Sequence, residues 1–327
     1  MRVERDAYPE VAVRALVLVG PGAVAVRDQP EPLVGEDECL VHVRSAGICG
    51  SELHGARTPG FRQPPLIMGH EFAGVTEQGD RVVVNPILSC GRCRLCRSGQ
   101  RQICGHRQII GVHRPGGFAD RVAVPRSAVR PVPPGLPLDT AALIEPAANA
   151  VHAWNRATTA SPPAEDSRIG VIGCGGIGLF CLLTALSNGM RRVHAADLSP
   201  ARRAIARRLG AASASRRLNS EFDIIVDAVG LAATRAQSVD RQRPGGLAVW
   251  LGLADAEPGY DAAGLVRSEK RVIGSFAYSD QEFAEAAGLL AGWDLTWASR
   301  YPLAAGAQIF TELMDGASHP VKAVLQP

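Results

Sequence analysis

The chain has 327 residues, 46% of them apolar, which is enough for two domains with a core each and ordinary for a globular protein. Its formal net charge of +3 is too small to imply a nucleic acid or an anionic membrane as partner. Only Lys270 and Lys322 of its 35 basic residues are lysines, an excess of arginine that reads as genome bias before chemistry.

The N-terminal stretch Met1–Asp6 carries acids and no apolar run, so no secretory signal is expected there. Four of the eight cysteines crowd into 90–104, and without a signal such clustering points to metal rather than disulfides. The cytoplasm is the expected compartment. Residues 14–19 and 39–46 read as short strands, with Pro30, Pro32 and Gly35 in the turn between them, and 81–84 and 119–124 continue the pattern. Short strands punctuated by Gly and Pro predict a compact, barrel-like N-terminal domain. Between them lies Cys49-Gly-Ser51-Glu-Leu-His54, followed by Gly69-His70-Glu71. A thiolate and an imidazole suit a borderline-soft cation such as zinc. Ser51 and His54 are close enough in sequence to Cys49 to carry a proton away from whatever that cation activates.

Cys90, Cys93, Cys96 and Cys104 form a C-x2-C-x2-C-x7-C array that can wrap one tetrahedral zinc. A closed four-thiolate shell has no open position, so its expected role is to fix the shape of a lobe. Arg92, Arg94, Arg97 and Arg101 lie around it without interleaved aromatics, which argues against nucleic acid and for charge compensation of the thiolates. The Pro-rich stretch 125–137 reads as an extended crossing between domains. Glu145 then falls inside an apolar, helix-like segment, and a buried carboxylate needs a partner such as a metal; a solvated helix face is the plainer alternative.

From Arg168 the period changes. The uncharged run 169–190 could pass for a membrane span, but its glycines fit a buried strand, a tight turn and a buried helix, and no membrane is expected as partner. Gly173-x-Gly175-Gly176-Ile177-Gly178 follows a strand, opens a helix, and is succeeded by Asp197 at the next strand end, the context of a dinucleotide fingerprint. Gly173 permits the turn, Gly175 lets the backbone approach a pyrophosphate, Gly178 allows close helix–strand packing, and the N–H groups that open the helix face the phosphates. Asp197 would accept from the adenosine ribose and repel a 2′-phosphate, favouring NAD; Arg202 and Arg203 are the counter-argument for NADP. A helix over 200–209, a strand over 222–228, a helix near 232–242, a turn at Arg243–Gly246 into a strand over 247–253, and a strand over 271–276 complete a doubly wound parallel sheet. Helices over 281–291 and 304–314 and a last strand over 321–325, expected to rejoin the first domain, end the chain.

With Cys49-Gly-Ser51, Gly69-His70-Glu71, the four-cysteine array, Glu145-Pro146, the glycine fingerprint, Asp197 and Arg243-Pro-Gly-Gly246 in this order, the chain resembles the zinc-dependent medium-chain dehydrogenase/reductase superfamily over nearly its whole length. It looks closest to the polyol branch of sorbitol, threonine and cyclitol dehydrogenases. The resemblance implies an α/β protein with a GroES-like β-barrel catalytic domain (1–140 and 277–327, zinc lobe 88–106) and an inserted Rossmann domain (141–276). It implies two Zn2+ per chain, NAD before NADP, an alcohol as substrate and a homodimer or homotetramer. Cys49 and His70 match the catalytic zinc ligands, and Glu71 and Glu145 match two acids that contribute directly, through water or in alternation. Ser51 matches the hydroxyl beside the substrate alcohol, and His54 the outer relay residue.

Two departures stand out. Glu52 occupies the place of an Asp that orients the zinc-ligating His, and the segment 74–80 is shorter than the usual hairpin. The expected reaction is reversible oxidation of a secondary alcohol to a ketone. Transient oxidation in the service of elimination or epimerisation, and a non-catalytic NAD(H)-binding zinc protein, are the alternatives. Phe61, Phe118, Trp154, Phe276 and Tyr278 are candidate pocket-lining residues.

Overall fold

Alternating apolar residues build the first half from strands. In the computed structural model, which describes residues 12–58, 60, 62–254, 259–317 and 320–327, these are β1 (Val13–Gly20), β2 (Ala23–Gln29) and β3 (Glu38–Gly47). Helix α1 (Gly50–Arg57) follows, then β4 (Leu66–Ile67), β5 (Glu71–Thr76) and β6 (Arg81–Val84). After these come β7 (Ile87–Leu88), α2 (Arg94–Arg97), β8 (Gln108–Ile109), β9 (Arg121–Pro125) and β10 (Val129–Pro131). Strand β2 lies between the two expected strands, where only a turn is predicted; Arg27, Asp28 and Gln29 dilute its apolar pattern. The short segment 74–80 is the end of β5 and a tight turn into β6, closed by the Thr76 N–H on the Asp80 carbonyl at 2.9 Å.

Helices α3 (Leu138–Ala141) and α4 (Ile144–Ala160) lead into the second half. There β11 (Arg168–Ile172), α5 (Gly176–Ser187), β12 (Arg192–Ala196), α6 (Pro200–Arg208) and β13 (Ser213–Ser215) alternate. They are followed by β14 (Phe222–Asp227), α7 (Ala232–Asp240), β15 (Gln242–Trp250), α8 (Ala262–Arg267) and β16 (Arg271–Gly274). The order β13-β12-β11-β14-β15-β16, parallel throughout, is the doubly wound arrangement whose ligand crevice opens at the carboxyl ends of the central strands. The expected turn at Arg243–Gly246 is instead a bulge inside β15: Phe222 pairs with Gln242 and Ile224 with Leu247, and Gly245 takes φ 73°. The strand starts before these residues rather than after them because Gln242 already pairs.

The chain then returns. Helix α9 (Asp280–Leu290), β17 (Ala298–Pro302), α10 (Gly306–Met314) and β18 (Lys322–Gln326) close it. Strand β18 pairs antiparallel with β3, Val324 opposite Gly47, so the last residues complete the first sheet as expected. The unexpected β17 pairs parallel with β18 and extends that sheet, giving β10-β6-β5-β3-β18-β17. Helix α9 packs on α4, and its Phe283, Ala286 and Leu290 belong to the same apolar cluster as Val171, Phe180 and Val249. A second cluster, with Val41, Phe72, Val84, Phe310 and Leu325, fills the first half. Each fully buried Phe or Leu here contributes roughly 1.5–3 kcal/mol by leaving water. The uncharged run 169–190 is β11, a turn and α5, and among the described residues no helix is long and apolar enough to cross a membrane. Met1–Asp6 and Phe61 lie outside the described residues.

Candidate active site

Cys49 caps the N-terminus of α1 in extended conformation, and Glu52 in the first turn of that helix reaches back to it. Glu52 Oε2 accepts from the Cys49 N–H at 3.0 Å. Its Oε1 accepts from the N–H groups of Gly69 (2.9 Å) and His70 (3.2 Å) and from His70 Nδ1 (2.9 Å). One fully buried carboxylate therefore ties the helix start to the segment that enters β5. Burial works against its ionisation, but His70, Arg62 and the Cys49 N–H outweigh that and hold Glu52 below the usual carboxylate range. With Nδ1 donating to Glu52, Nε2 is the ring nitrogen left for a cation. The extra methylene of Glu52 does not break this contact; its place on the first helical turn absorbs the added reach.

Cys49, His70 and Glu71 each bring a ligand atom within 4.8 Å of the others. The adjacent His70 and Glu71 converge because the chain turns at Gly69 (φ 96°) before β5 begins. Glu71 needs the space that Gly47 leaves: a Cβ at Gly47 would lie 2.1 Å from Glu71 Oε2. Glu71 also forms a buried ion pair with Lys322 Nζ, which donates to the Ile48 carbonyl at 2.9 Å. Burial pulls the Lys322 ammonium down, but Glu71 and Cys49 hold it above its ordinary value. Burial likewise disfavours a charged His70, and Glu52 and Cys49 reverse that, raising it well above the ordinary histidine range. Glu71 Oε1 is buried without a hydrogen-bond partner. A sulfur, an imidazole nitrogen and an orphaned carboxylate oxygen in a field that draws positive charge fit a zinc ion.

Glu145 stands beside this group but outside it. Its Oε1 accepts from the Tyr278 hydroxyl at 2.7 Å, and Asn149 Nδ2 donates to its carbonyl at 3.1 Å. Burial first, then repulsion from Glu71, pushes Glu145 up to about 7 against the pull of His70 and Lys322. Ser51 Oγ donates to Cys49 Sγ at 3.3 Å. His54, three residues further on the same helix, is exposed, with Nε2 3.5 Å from Thr58 Oγ1. Of the candidate aromatics, Phe118 and Trp154 are buried in the two apolar clusters. Tyr278 reaches Glu145, and Phe276 lies under the Arg107 guanidinium.

The four-cysteine lobe is a second donor set. Its sulfur pairs Cys93–Cys96, Cys104–Cys90, Cys93–Cys104 and Cys90–Cys96 are 3.5, 3.6, 3.8 and 3.9 Å apart. Such edges suit one tetrahedral ion with metal–sulfur bonds of about 2.3 Å. Backbone N–H groups of Arg92 and Cys93 lead in pulling the Cys90 thiol down to about 6. Of the four arginines around the array, Arg97 Nε donates to the Arg92 carbonyl and Arg101 reaches Ser89 and Asp280.

At the nucleotide turn, Gly178 is obligatory because a Cβ there would lie 1.7 Å from the Gly173 carbonyl oxygen. Gly175 faces open space, the cradle a pyrophosphate needs, while Gly176 and Ile177 begin α5. Asp197 Oδ2 accepts from the Cys174 N–H at 2.7 Å and Oδ1 from the Ser199 N–H at 2.8 Å, fixing its carboxylate beside the turn. Arg203 donates to the carbonyls of Asp197 and Leu198, both at 2.8 Å, and the Arg202 N–H caps onto Ser199 Oγ at 3.4 Å. Burial pushes the Cys174 and Cys181 thiols up to about 12, as befits packing residues. The Lys322 stem passes 3.5 Å from where a Cβ on Gly176 would be, so one side chain borders both the metal-ligand group and the nucleotide turn.

A doubly wound sheet with a dinucleotide turn, beside a thiolate, imidazole and carboxylate group, is the arrangement of a metal-dependent enzyme that uses a dinucleotide. Residues 35–134 match the alcohol dehydrogenase GroES-like domain, and residues 176–292 match the zinc-binding dehydrogenase family. The chain is 30% identical to L-galactonate-5-dehydrogenase of Escherichia coli (strain K12), across 96% of this chain and 98% of that protein. Its fold superposes on a Sinorhizobium meliloti 1021 protein described as a zinc-binding dehydrogenase and bound to NADP (TM-score 0.88, 27% identity, 97% and 99% of the two chains). It superposes equally on acetophenone reductase from Geotrichum candidum NBRC 4597 in complex with NAD (TM-score 0.88, 25% identity, 98% of each chain). The chain belongs to the zinc-dependent medium-chain dehydrogenase/reductase superfamily, in its polyol-dehydrogenase-like branch. It is an oxidoreductase of the alcohol dehydrogenase type.

Two contacts of the site were not foreseen. Lys322 is one of only two lysines, which in an arginine-rich chain was a signal, but its partner Glu71 lies far away in sequence. The contact of Tyr278 with Glu145 had no local signature.

Proposed function

We propose that the protein oxidises a secondary alcohol of a small polyhydroxylated molecule to a ketone, with NAD as its oxidant and two zinc ions per chain. Cys49, His70 and Glu71 would hold the catalytic zinc, with Glu145 able to exchange with Glu71; Cys90, Cys93, Cys96 and Cys104 would hold the structural one. The observation that carries this reading is the convergence of Cys49, His70 and Glu71 within 4.8 Å of one another. When bound, zinc supplies Lewis acidity at the alcohol oxygen and the nicotinamide takes up the hydride.

The chain's own residues do the rest. Glu52 keeps Nδ1 of His70 engaged, so the ring cannot turn away. Lys322 holds Glu71 by its charge, which suits a ligand that comes and goes. Ser51 Oγ, 3.3 Å from Cys49 Sγ, is assigned the substrate proton, and exposed His54 its release to solvent. The Asp197 carboxylate, fixed beside the glycine turn, supports NAD: it offers an acceptor to a ribose hydroxyl and a repelling charge to a 2′-phosphate. Arg203 is spent on backbone carbonyls, which weakens the case for NADP. The relative named for L-galactonate supports polyhydroxy acids, with polyols, cyclitols, aminocyclitols and amino alcohols, as the first substrates to try. The same reading carries domain limits of 1–140 with 277–327 and of 141–276, and a homodimer or homotetramer.

Metal analysis of the purified protein together with NAD reduction over those substrates tests the proposal. Two zinc ions per chain are expected, falling to one in Cys49→Ser. That variant should lose turnover by at least about a thousand-fold, the several kcal/mol a Lewis acid supplies, while still binding NADH. Near-normal turnover in Cys49→Ser would remove the metal role. Asp197→Ala should lower the preference for NAD over NADP; an unchanged ratio would exclude Asp197 as the selector.

A further inference from the structure

We infer that the four-cysteine lobe is a positioning element for the catalytic cleft. Through Arg101 and Arg107 it grips the segment Phe276–Asp280, whose Tyr278 fixes the Glu145 carboxylate beside Cys49, His70 and Glu71. The inference rests on the alcohol-oxidising reading of that group.

The segment runs from the end of β16 to the start of α9 and is conformationally expensive. Ala277 has φ 52°, a left-handed backbone that an L-residue other than glycine adopts only when its surroundings impose it. Ala277 packs on the apolar cluster of the second half, and the residues on either side of it are held from the lobe and its flanks. The Arg107 guanidinium lies 4.9 Å over the Phe276 ring, and its Nη1 donates to the Cys104 carbonyl at 3.2 Å. At the other end, Asp280 receives Arg101 Nη1 at 3.2 Å, Arg130 Nη2 at 2.9 Å and Asn85 Nδ2 at 3.0 Å. Arg101 is itself tied to Ser89 Oγ, next to Cys90, at 2.8 Å. Of the arginines that hold the segment, Arg101 issues from the loop the cysteines fold, and Arg107 directly follows that loop and is tied back to it at Cys104.

Between these two grips the chain points inward. Tyr278 is 2% exposed, its ring 5.4 Å from that of Phe283, and its hydroxyl donates to Glu145 Oε1 at 2.7 Å. A hydrogen bond on Oε1 leaves Oε2 as the freer oxygen and sets the plane of the carboxylate. A small displacement of Phe276 or Asp280 would move the Tyr278 hydroxyl, and Glu145 with it. Arg101 and Arg107 touch none of the reacting groups, so they act as positioning residues.

The test uses the zinc-loaded enzyme, with metal content verified in every variant. Arg107→Ala should raise KM for the alcohol and lower kcat, by about 10-fold together, since sub-ångström to ångström misplacement costs one to two powers of ten. NADH affinity and zinc content should stay unchanged, and Arg107→Lys should recover part of the loss. Tyr278→Phe should act in the same direction, and the double variant should be little worse than the worse single one. Hydrogen exchange in the peptide spanning 275–280 should quicken in Arg107→Ala. Unchanged exchange would disprove the grip. Lowered thermal stability with KM and kcat within two-fold of the parent, or effects that simply multiply in the double variant, would reduce the lobe to a structural support. A parent enzyme that oxidises none of the alcohols would instead count against the functional reading, while the exchange measurement would still decide the grip.

Discussion

Two cysteine-bearing clusters lie in the first half of the molecule, and they are assembled in opposite ways. The lobe takes Cys90, Cys93, Cys96 and Cys104 from one loop, with every sulfur within 3.9 Å of at least one other. The second cluster draws Cys49 from the start of α1 and His70 and Glu71 from the start of β5, with Lys322 supplied by β18. Four like donors from one loop close a shell and need little else to form. Three unlike donors, one shared with a lysine, come together only once β3, β5 and β18 have paired, and three ligands would not close a tetrahedral shell. The lobe is thus a local device, and the Cys49–His70–Glu71 group is a product of the whole first sheet.

The sharpest way to break this contrast is to remove one ligand from the lobe and compare the result with Cys49→Ser. Cys96→Ser should cost more than about 4 kcal/mol of stability, the range reached when a structural metal is lost, and should make the protein sensitive to chelators. Cys49→Ser should lose turnover at nearly unchanged melting temperature. Equal destabilisation by both, read by thermal unfolding with metal analysis, would erase the distinction. A smaller effect is expected from Gly47→Ala, which fills the space that Glu71 Oε2 occupies. Overpacking there should cost about 1–3 kcal/mol and weaken zinc at the Cys49 site without touching the lobe. Retention of both zinc ions at parental affinity would mean that Glu71 is dispensable to the ligand set.

The same contrast sets what could be read from the sequence. The four-cysteine array, the glycine turn with Asp197, and the strand–helix alternation from 168 to 274 are short-range patterns, and the structure places the expected strands within a few residues while adding the short β13 and α8. Cys49, His70 and Glu71 were legible through their motifs, and the structure brings their ligand atoms together. What escaped depends on long-range contact. Strand β2 is held by its hairpin with β1 and has four half-buried residues but none fully buried, so its apolar period is weak. Helix α1 has few apolar residues and begins with Glu52 reaching back to Cys49. Strand β17 exists because β18 offers it an edge, and Arg300 and Pro302 disguise it. The Lys322–Glu71 pair joins opposite ends of the chain, a link that no local window contains.

The smallest expected effect concerns a joint outside both clusters, where α4 meets α9. Glu282 Oε2 accepts from His152 Nδ1 at 2.8 Å, from the Ser279 N–H at 2.7 Å and from Ser279 Oγ at 2.8 Å, completing the capping box of α9. Burial resists its ionisation, but the His152 and Ser279 hydrogen bonds outweigh that and bring Glu282 down to about 2. A carboxylate depressed in the folded chain adds stability above its unfolded pKa of roughly 4.3 and loses it as the pH falls through the folded value. Glu282→Gln should therefore cost about 1–2 kcal/mol at pH 7, the worth of a charged cap and its hydrogen bonds. The difference from the parent, measured by urea unfolding, should narrow below pH 4.5 and vanish near pH 2. A gap that stayed constant between pH 7 and 3 would show that the joint depends on shape rather than on the charge of Glu282. Because α9 carries Tyr278 at its approach, the variant should also leave metal content intact while shifting KM less than Arg107→Ala does.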